Sequence, residues 1–93
     1  MKEKILAAAV AEAEALGRYD RITRGPVAVR ASCAVGMINK HFGTMPGLQS
    51  AVLTVFIERE DLPQIAWGLA NRAPEVQNID QQLKARALNT LAA

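Results

Sequence analysis

The sequence has very little of the residue types that catalysis, metal binding and disulfide formation require. It contains one cysteine, Cys33, and one histidine, His41, among 93 residues. A single cysteine cannot form an intramolecular disulfide, which suits a reducing cytoplasm. Cys33 and His41 alone are too few ligands for a zinc site, and no glycine-rich phosphate loop of recognised spacing is present. We therefore expect no enzyme, no metal and no cofactor.

Aromatic residues and strand-like segments are also scarce. Phe, Trp and Tyr make up 4% of the chain, and no run of β-branched residues alternates as in a half-buried strand. No segment is apolar enough for a membrane span, and the charged N-terminal region is too polar for a signal peptide. Alanine and leucine abound, and hydrophobic residues make up 51% of the chain. We predict an all-α protein of the cytoplasm, a small helical bundle of five to six helices, with no membrane contact.

The net charge is only +2, but the basic residues are concentrated in one segment. Residues 18–40 contain five basic residues and one acid, Asp20, whereas residues 45–93 contain four basic residues and five acids. The five basic residues are Arg18, Arg21, Arg24, Arg30 and Lys40. A local excess of positive charge is what a surface facing DNA phosphates requires.

Apolar residues at helical spacing and helix-capping residues predict the helices. The first helix spans 2–16 and ends at Gly17. Thr44 is an N-cap candidate for a buried fourth helix, and Asp61 for a fifth over about 62–71. Asn78 is predicted to cap the last helix. The apolar stripe of that helix would comprise Ile79, Leu83, Ala87, Leu88 and Leu91.

Two short helices are predicted between Thr23 and Gly43. Thr23 is expected to cap a helix over 24–31, with Pro26 tolerated in its first turn. Ser32-Cys33-Ala34 is a break of small residues, and a second helix follows over 34–42. Two short helices joined by such a tight turn are typical of a helix-turn-helix.

The same segment resembles the DNA-binding domain of the tetracycline-repressor (TetR) family. The likeness is carried by Thr23, Val27, Ala28, Ala31, Gly36, Ile38 and the run His41-Phe42-Gly43. The family pattern is roughly T-x-x-x-I-A-x-x-A-G-V-S-x-G-x-L-Y-x-H-F, and the likeness extends from about Ile5 to Ile57. It implies a TetR-like DNA-binding domain over residues 1–58. Residues 59–93 would be a short helical extension for core closure or dimerisation, too short for the family's usual ligand-binding domain, so no small-molecule effector is expected.

The chain departs from the family pattern at several positions. The turn glycine of the family is Ser32 here, its Val-Ser pair is Cys33-Ala34, its tyrosine is Asn39, and its lysine after the His-Phe motif is Met45. The last three departures fall at positions where family members often touch DNA.

The outward side of the second helix would supply the contacts to bases. The Asn39 amide can pair bidentately with adenine, and Val35 and Met37 can contact thymine methyl groups. The remaining predicted DNA-binding residues, at phosphates or beside them, are Thr23, Arg24, Arg30, Lys40, His41 and Thr44. His41 has an equally good structural role, because a histidine at a helix C-terminus complements the helix dipole.

The sequence thus predicts a sequence-specific transcriptional regulator, most simply a repressor, that binds double-stranded operator DNA as a homodimer. This interpretation requires Asn39 and Lys40 to be exposed. The alternative is a protein–protein interaction module on a helix-turn-helix scaffold, which binds another regulator, a polymerase or a replication factor. The small net charge, the departures from the family pattern and the apolar helices after Asp61 favour that alternative.

Overall fold

The computed structural model describes the backbone of residues 1–92 and the side chains of residues 1–90. The all-α prediction is confirmed: the described part of the chain contains six α-helices and no strand. The helices are α1 Lys2–Leu16, α2 Arg24–Ala31, α3 Val35–Phe42, α4 Met45–Glu58, α5 Leu62–Ala70 and α6 Gln81–Ala92. Single 3-10 turns lie at Tyr19–Arg21 and Pro74–Val76.

The chain divides into two units, with the division inside α4. The first unit is Met1–Val52 and the second is Leu53–Ala93. The predicted boundary, after residue 58, lies later, at the end of α4. Helix α4 therefore contributes its first half to one core and its second half to the other.

In the first unit, α2 packs on an alanine-rich face of α1. Ala9 and Ala13 of α1 and Ala31 of α2 have no exposed surface, and Ala28 is almost fully buried. Small side chains at such a contact let two helices approach closely. Larger residues complete this core: Ile5, Val10, Tyr19, Ile22, Val27, Ile38, Leu48 and Val52. As predicted, Gly17 ends α1 in the left-handed conformation, with φ of 79°.

The turn between α2 and α3 depends on a left-handed residue. Ser32 has φ of 53°, and the Cys33 amide donates to the Ala28 carbonyl at 3.0 Å. This six-to-one bond is the Schellman arrangement that satisfies the last carbonyls of a helix. The TetR pattern has glycine at this position, which adopts the left-handed conformation without the penalty that a Cβ atom brings. The chain makes the same turn with serine.

The corner between α3 and α4 requires Gly47. A Cβ atom added at Gly47 would overlap the carbonyl oxygen of Phe42, the last residue of α3. The Thr44 hydroxyl accepts a hydrogen bond from the Gly47 amide at 3.2 Å, so the prediction that Thr44 caps α4 is confirmed. These contacts hold the C-terminal end of α3 against the start of α4.

In the second unit, aspartates begin both α-helices. The Asp61 carboxylate accepts from the Gln64 amide at 3.3 Å, which confirms the predicted cap of α5. The predicted Asn78 cap is wrong, because α6 begins only at Gln81. The Asp80 carboxylate accepts from the Gln82 amide at 2.7 Å and so takes the capping position; its charge also complements the helix dipole.

The predicted apolar stripe of α6 is only partly buried. Ala87 is fully buried and Leu83 is half-buried, but Leu88 is 48% exposed. Ile79 is half-buried just before the helix, and the side chain of Leu91 lies outside the described residues. The core of this unit comprises Leu53, Phe56, Ile65, Ala66, Val76 and Ala87.

We predict that Gly47→Ala destabilises the protein by about 1–3 kcal/mol, because the new methyl group overlaps the Phe42 carbonyl. Urea unfolding followed by circular dichroism measures the change. Gly36→Ala is the matched control: nothing lies within 4 Å of its added Cβ, so it should raise stability by about 0.5–1 kcal/mol. A Gly47→Ala variant as stable as wild type would contradict the described corner.

Candidate nucleic-acid interface

The outer side of α3 carries two exposed polar residues, Asn39 and Lys40. Ile38, the residue before Asn39, is only 2% exposed and packs α3 against the core. Val35 is 42% exposed and Met37 is half-buried, so only part of the side-chain surface predicted to contact thymine is accessible to a ligand. The exposure that the DNA-binding interpretation requires of Asn39 and Lys40 is therefore present.

Arg24, at the start of α2, is joined to Asn39 on α3. The Arg24 Nε atom donates to Asn39 Oδ1 at 2.8 Å. Because the acceptor is a neutral amide, the bond fixes the guanidinium without cancelling its charge. The two residues predicted to contact phosphate and base separately thus form one hydrogen-bonded pair.

Arg30, in contrast, forms an ion pair with α1. Its Nε atom donates to Glu12 Oε1 at 2.9 Å, and the Glu12 side chain is only 12% exposed. The sequence predicts Arg30 at a phosphate, whereas the structure pairs it with Glu12. The pairing instead links α2 to α1, since a mostly buried carboxylate needs a charged partner.

The ion pairs determine which cations of residues 18–40 carry uncancelled charge. Arg18 binds Asp20 through two hydrogen bonds, of 2.9 and 2.7 Å, and the Asp20 hydrogen bond raises the pKa of Arg18 above its usual value. With Arg18 and Arg30 paired to acids, three uncancelled cations remain: Arg21, Arg24 and Lys40. Arg21 and Lys40 are exposed and have no ion pair among the described residues.

Thr23 stands at the N-cap position of α2, but its hydroxyl does not cap the helix. Its φ of −130° and ψ of 162° are those of an N-cap, yet no side-chain capping bond forms. The third helical residue, whose amide would normally donate to the cap, is Pro26, which has no N–H group. The prediction of a capping hydroxyl is therefore wrong. The exposed Thr23 hydroxyl has no hydrogen-bond partner within the described residues.

We use the name motif surface for a set of residues on α2, on α3 or just before α2. Each of them has a polar group that is free to bind a partner. They are Arg21, Thr23, Arg24, Asn39 and Lys40. Thr44, which was predicted to belong with them, is exposed, but its hydroxyl accepts the capping bond of α4.

His41 is half-buried, and its Nε2 atom is enclosed without a hydrogen-bond partner among the described residues. A hydrogen bond from this ring to a phosphate would therefore have to come from Nδ1. The next residue, Phe42, lies under the ammonium group of Lys2, which is 5.6 Å from the ring centroid. This cation–π contact links the start of α1 to the end of α3.

The described residues contain no cluster of three or more His, Cys, Asp or Glu side chains that could hold a metal ion. None of the helices described is both long and apolar enough to cross a membrane.

No protein-family model, curated protein or solved structure matches this chain. The resemblance to the TetR DNA-binding domain therefore stays a prediction that depends on the residues between Thr23 and Gly43 and their flanks.

We predict that Glu12 and Arg30 are energetically coupled by about 0.5–1 kcal/mol, the upper range for a pair whose arginine remains 43% exposed. A double-mutant cycle with Glu12→Gln, Arg30→Gln and the double variant measures this coupling through urea unfolding at low salt. The coupling should shrink at high salt, because the exposed arginine is screened. A coupling energy indistinguishable from zero at low salt would contradict the ion pair.

Proposed function

We propose that this chain is a sequence-specific DNA-binding transcriptional regulator, most simply a repressor, that recognises operator DNA through α2 and α3. The observation that carries the proposal is the motif surface itself. Asn39 and Lys40 are exposed on α3, Asn39 is hydrogen-bonded to Arg24, and the cations of this surface are not paired with acids. The TetR-like pattern of the segment supports the same function.

In this proposal α3 enters the major groove and the start of α2 faces the sugar-phosphate backbone. Lys40 and Arg21 would neutralise phosphates, which supplies affinity without sequence preference. The Thr23 hydroxyl and the first amides of α2 would donate to a phosphate oxygen, since the N-terminus of a helix attracts anions. Two chains would bind paired half-sites as a homodimer.

A protein–protein interaction module is the second candidate, and one specific observation favours it. Val29 of α2 is 79% exposed, and Val35 of α3 is 42% exposed. Such residues can form the centre of a contact with another protein. Because Arg30 is paired with Glu12, one fewer cation is available to bind DNA phosphates.

We predict that the chain binds duplexes selected from a random DNA pool, with an affinity that falls steeply as salt rises. Lys40→Gln should weaken binding to all sequences alike. If Lys40 contacts one phosphate, the slope of log K against log salt should decrease in magnitude by about 0.9. Fluorescence anisotropy at several salt concentrations measures both quantities.

Lys84→Gln is the matched control, because it removes the same charge from α6, outside the motif surface. It should leave the salt slope unchanged. Equal effects of the two substitutions would contradict the role of the motif surface. If the wild-type chain retains no duplex from the pool at low salt, DNA binding is wrong and the protein-interaction module becomes the better account.

A further inference from the structure

We infer that Arg24 reads a guanine base in the major groove and that Asn39 acts as the residue that positions it. The inference rests on the proposed function and reverses the roles expected from the sequence, which assigned Arg24 to phosphate and Asn39 to adenine.

The hydrogen bond between the two residues fixes the orientation of both side chains. Arg24 Nε can only donate, so Asn39 must turn its carbonyl oxygen toward Arg24, at 2.8 Å. The Asn39 amide nitrogen then lies on the other branch of the carboxamide. Neither this nitrogen nor either Arg24 Nη atom has a hydrogen-bond partner within the described residues.

The groups left to bind a ligand are therefore hydrogen-bond donors. The end of the Arg24 guanidinium offers two N–H-bearing nitrogens, and the Asn39 amide offers one more. In the major groove, guanine presents two acceptors, O6 and N7, whereas adenine presents one acceptor and one donor. A bidentate adenine contact needs the oxygen of Asn39, which is already directed at Arg24. The pair thus matches guanine better than adenine.

The position of Arg24 favours a base over a phosphate. A phosphate contact needs only a positive charge within reach, and the exposed Arg21 and Lys40 supply that. Arg24 is instead half-buried and bound to α3, the helix proposed to enter the groove. An arginine held in one orientation also loses less conformational freedom on binding, which strengthens a contact that depends on geometry.

The test compares binding sites selected from a random duplex pool by the full wild-type chain and by Arg24→Lys. Lysine keeps the charge but loses the two-pronged donor and the Nε bond to Asn39. The wild-type sites should share a guanine whose replacement by 7-deazaguanine, which lacks the N7 acceptor, weakens binding. Arg24→Lys should lose about 5- to 150-fold of the discrimination at that one position, the value of one bidentate contact. Its affinity for unrelated DNA and its salt slope should stay near those of wild type.

Asn39→Ala tests the positioning role. It should lower discrimination at the same guanine, and the double variant should be no worse than Arg24→Lys alone, because the two residues act as one unit. Arg86→Lys is the control, because Arg86 is an exposed arginine of α6 outside the motif surface, and its selected sites should match those of wild type. Circular dichroism checks that every variant folds, which is expected since both residues of the pair lie at the surface.

Several results would overturn the inference while leaving the proposed function intact. Relaxed preference at an A·T pair in Asn39→Ala, with no change in Arg24→Lys, would return base reading to Asn39. An equal loss of affinity for all sequences in Arg24→Lys would make Arg24 a phosphate contact. If the wild-type chain binds no duplex at all, the proposed function itself fails and the inference fails with it.

Discussion

The close packing of α2 on α1 is the constraint on which the first unit depends. It brings the alanine faces of the two helices together and leaves Glu12 mostly buried, where Arg30 pairs with it. Once α2 is fixed, the left-handed Ser32 turn sets the direction of α3, and the Gly47 corner holds its far end. The side of α3 that bears Asn39 and Lys40 then faces outward because Ile38 is buried beneath it.

Ion pairing divides the basic residues of the segment 18–40 into two groups. Arg18 and Arg30 are paired to acids and stabilise the unit, whereas Arg21, Arg24 and Lys40 keep their charge available. A simple sum of the charges in residues 18–40 counts both groups together, and it therefore overstates the positive charge available to bind a partner. The hydrogen bond from Arg24 to Asn39 adds orientation to charge, and orientation is what a contact to a base edge needs. This is why we assign specificity to a pair that spans two helices.

Local patterns predicted most of the helices but not the pairing between residues far apart in the sequence. Gly17, Thr44 and Asp61 act within one turn of the chain, so the helix ends that depend on them could be predicted. The Thr23 hydroxyl does not cap α2. Pro26 suits the first turn of the helix, but it has no amide N–H group for the cap to bind. The Glu12–Arg30 and Arg24–Asn39 pairs join residues 18 and 15 positions apart, and no helical periodicity indicates them. DNA binding itself stays a prediction that was made from the helix-turn-helix pattern.

Titration of the isotopically labelled chain with a selected duplex, followed by NMR, tests the central claim most directly. We predict that the signals of the Asn39 side-chain amide, the Arg24 Nε–H group and the Lys40 backbone amide shift together and saturate at one stoichiometry. Signals from α5, Leu62–Ala70, should move little. Saturating DNA that leaves these three signals unchanged, or that moves only signals of the second unit, would contradict the assignment of α2 and α3 as the DNA-binding surface.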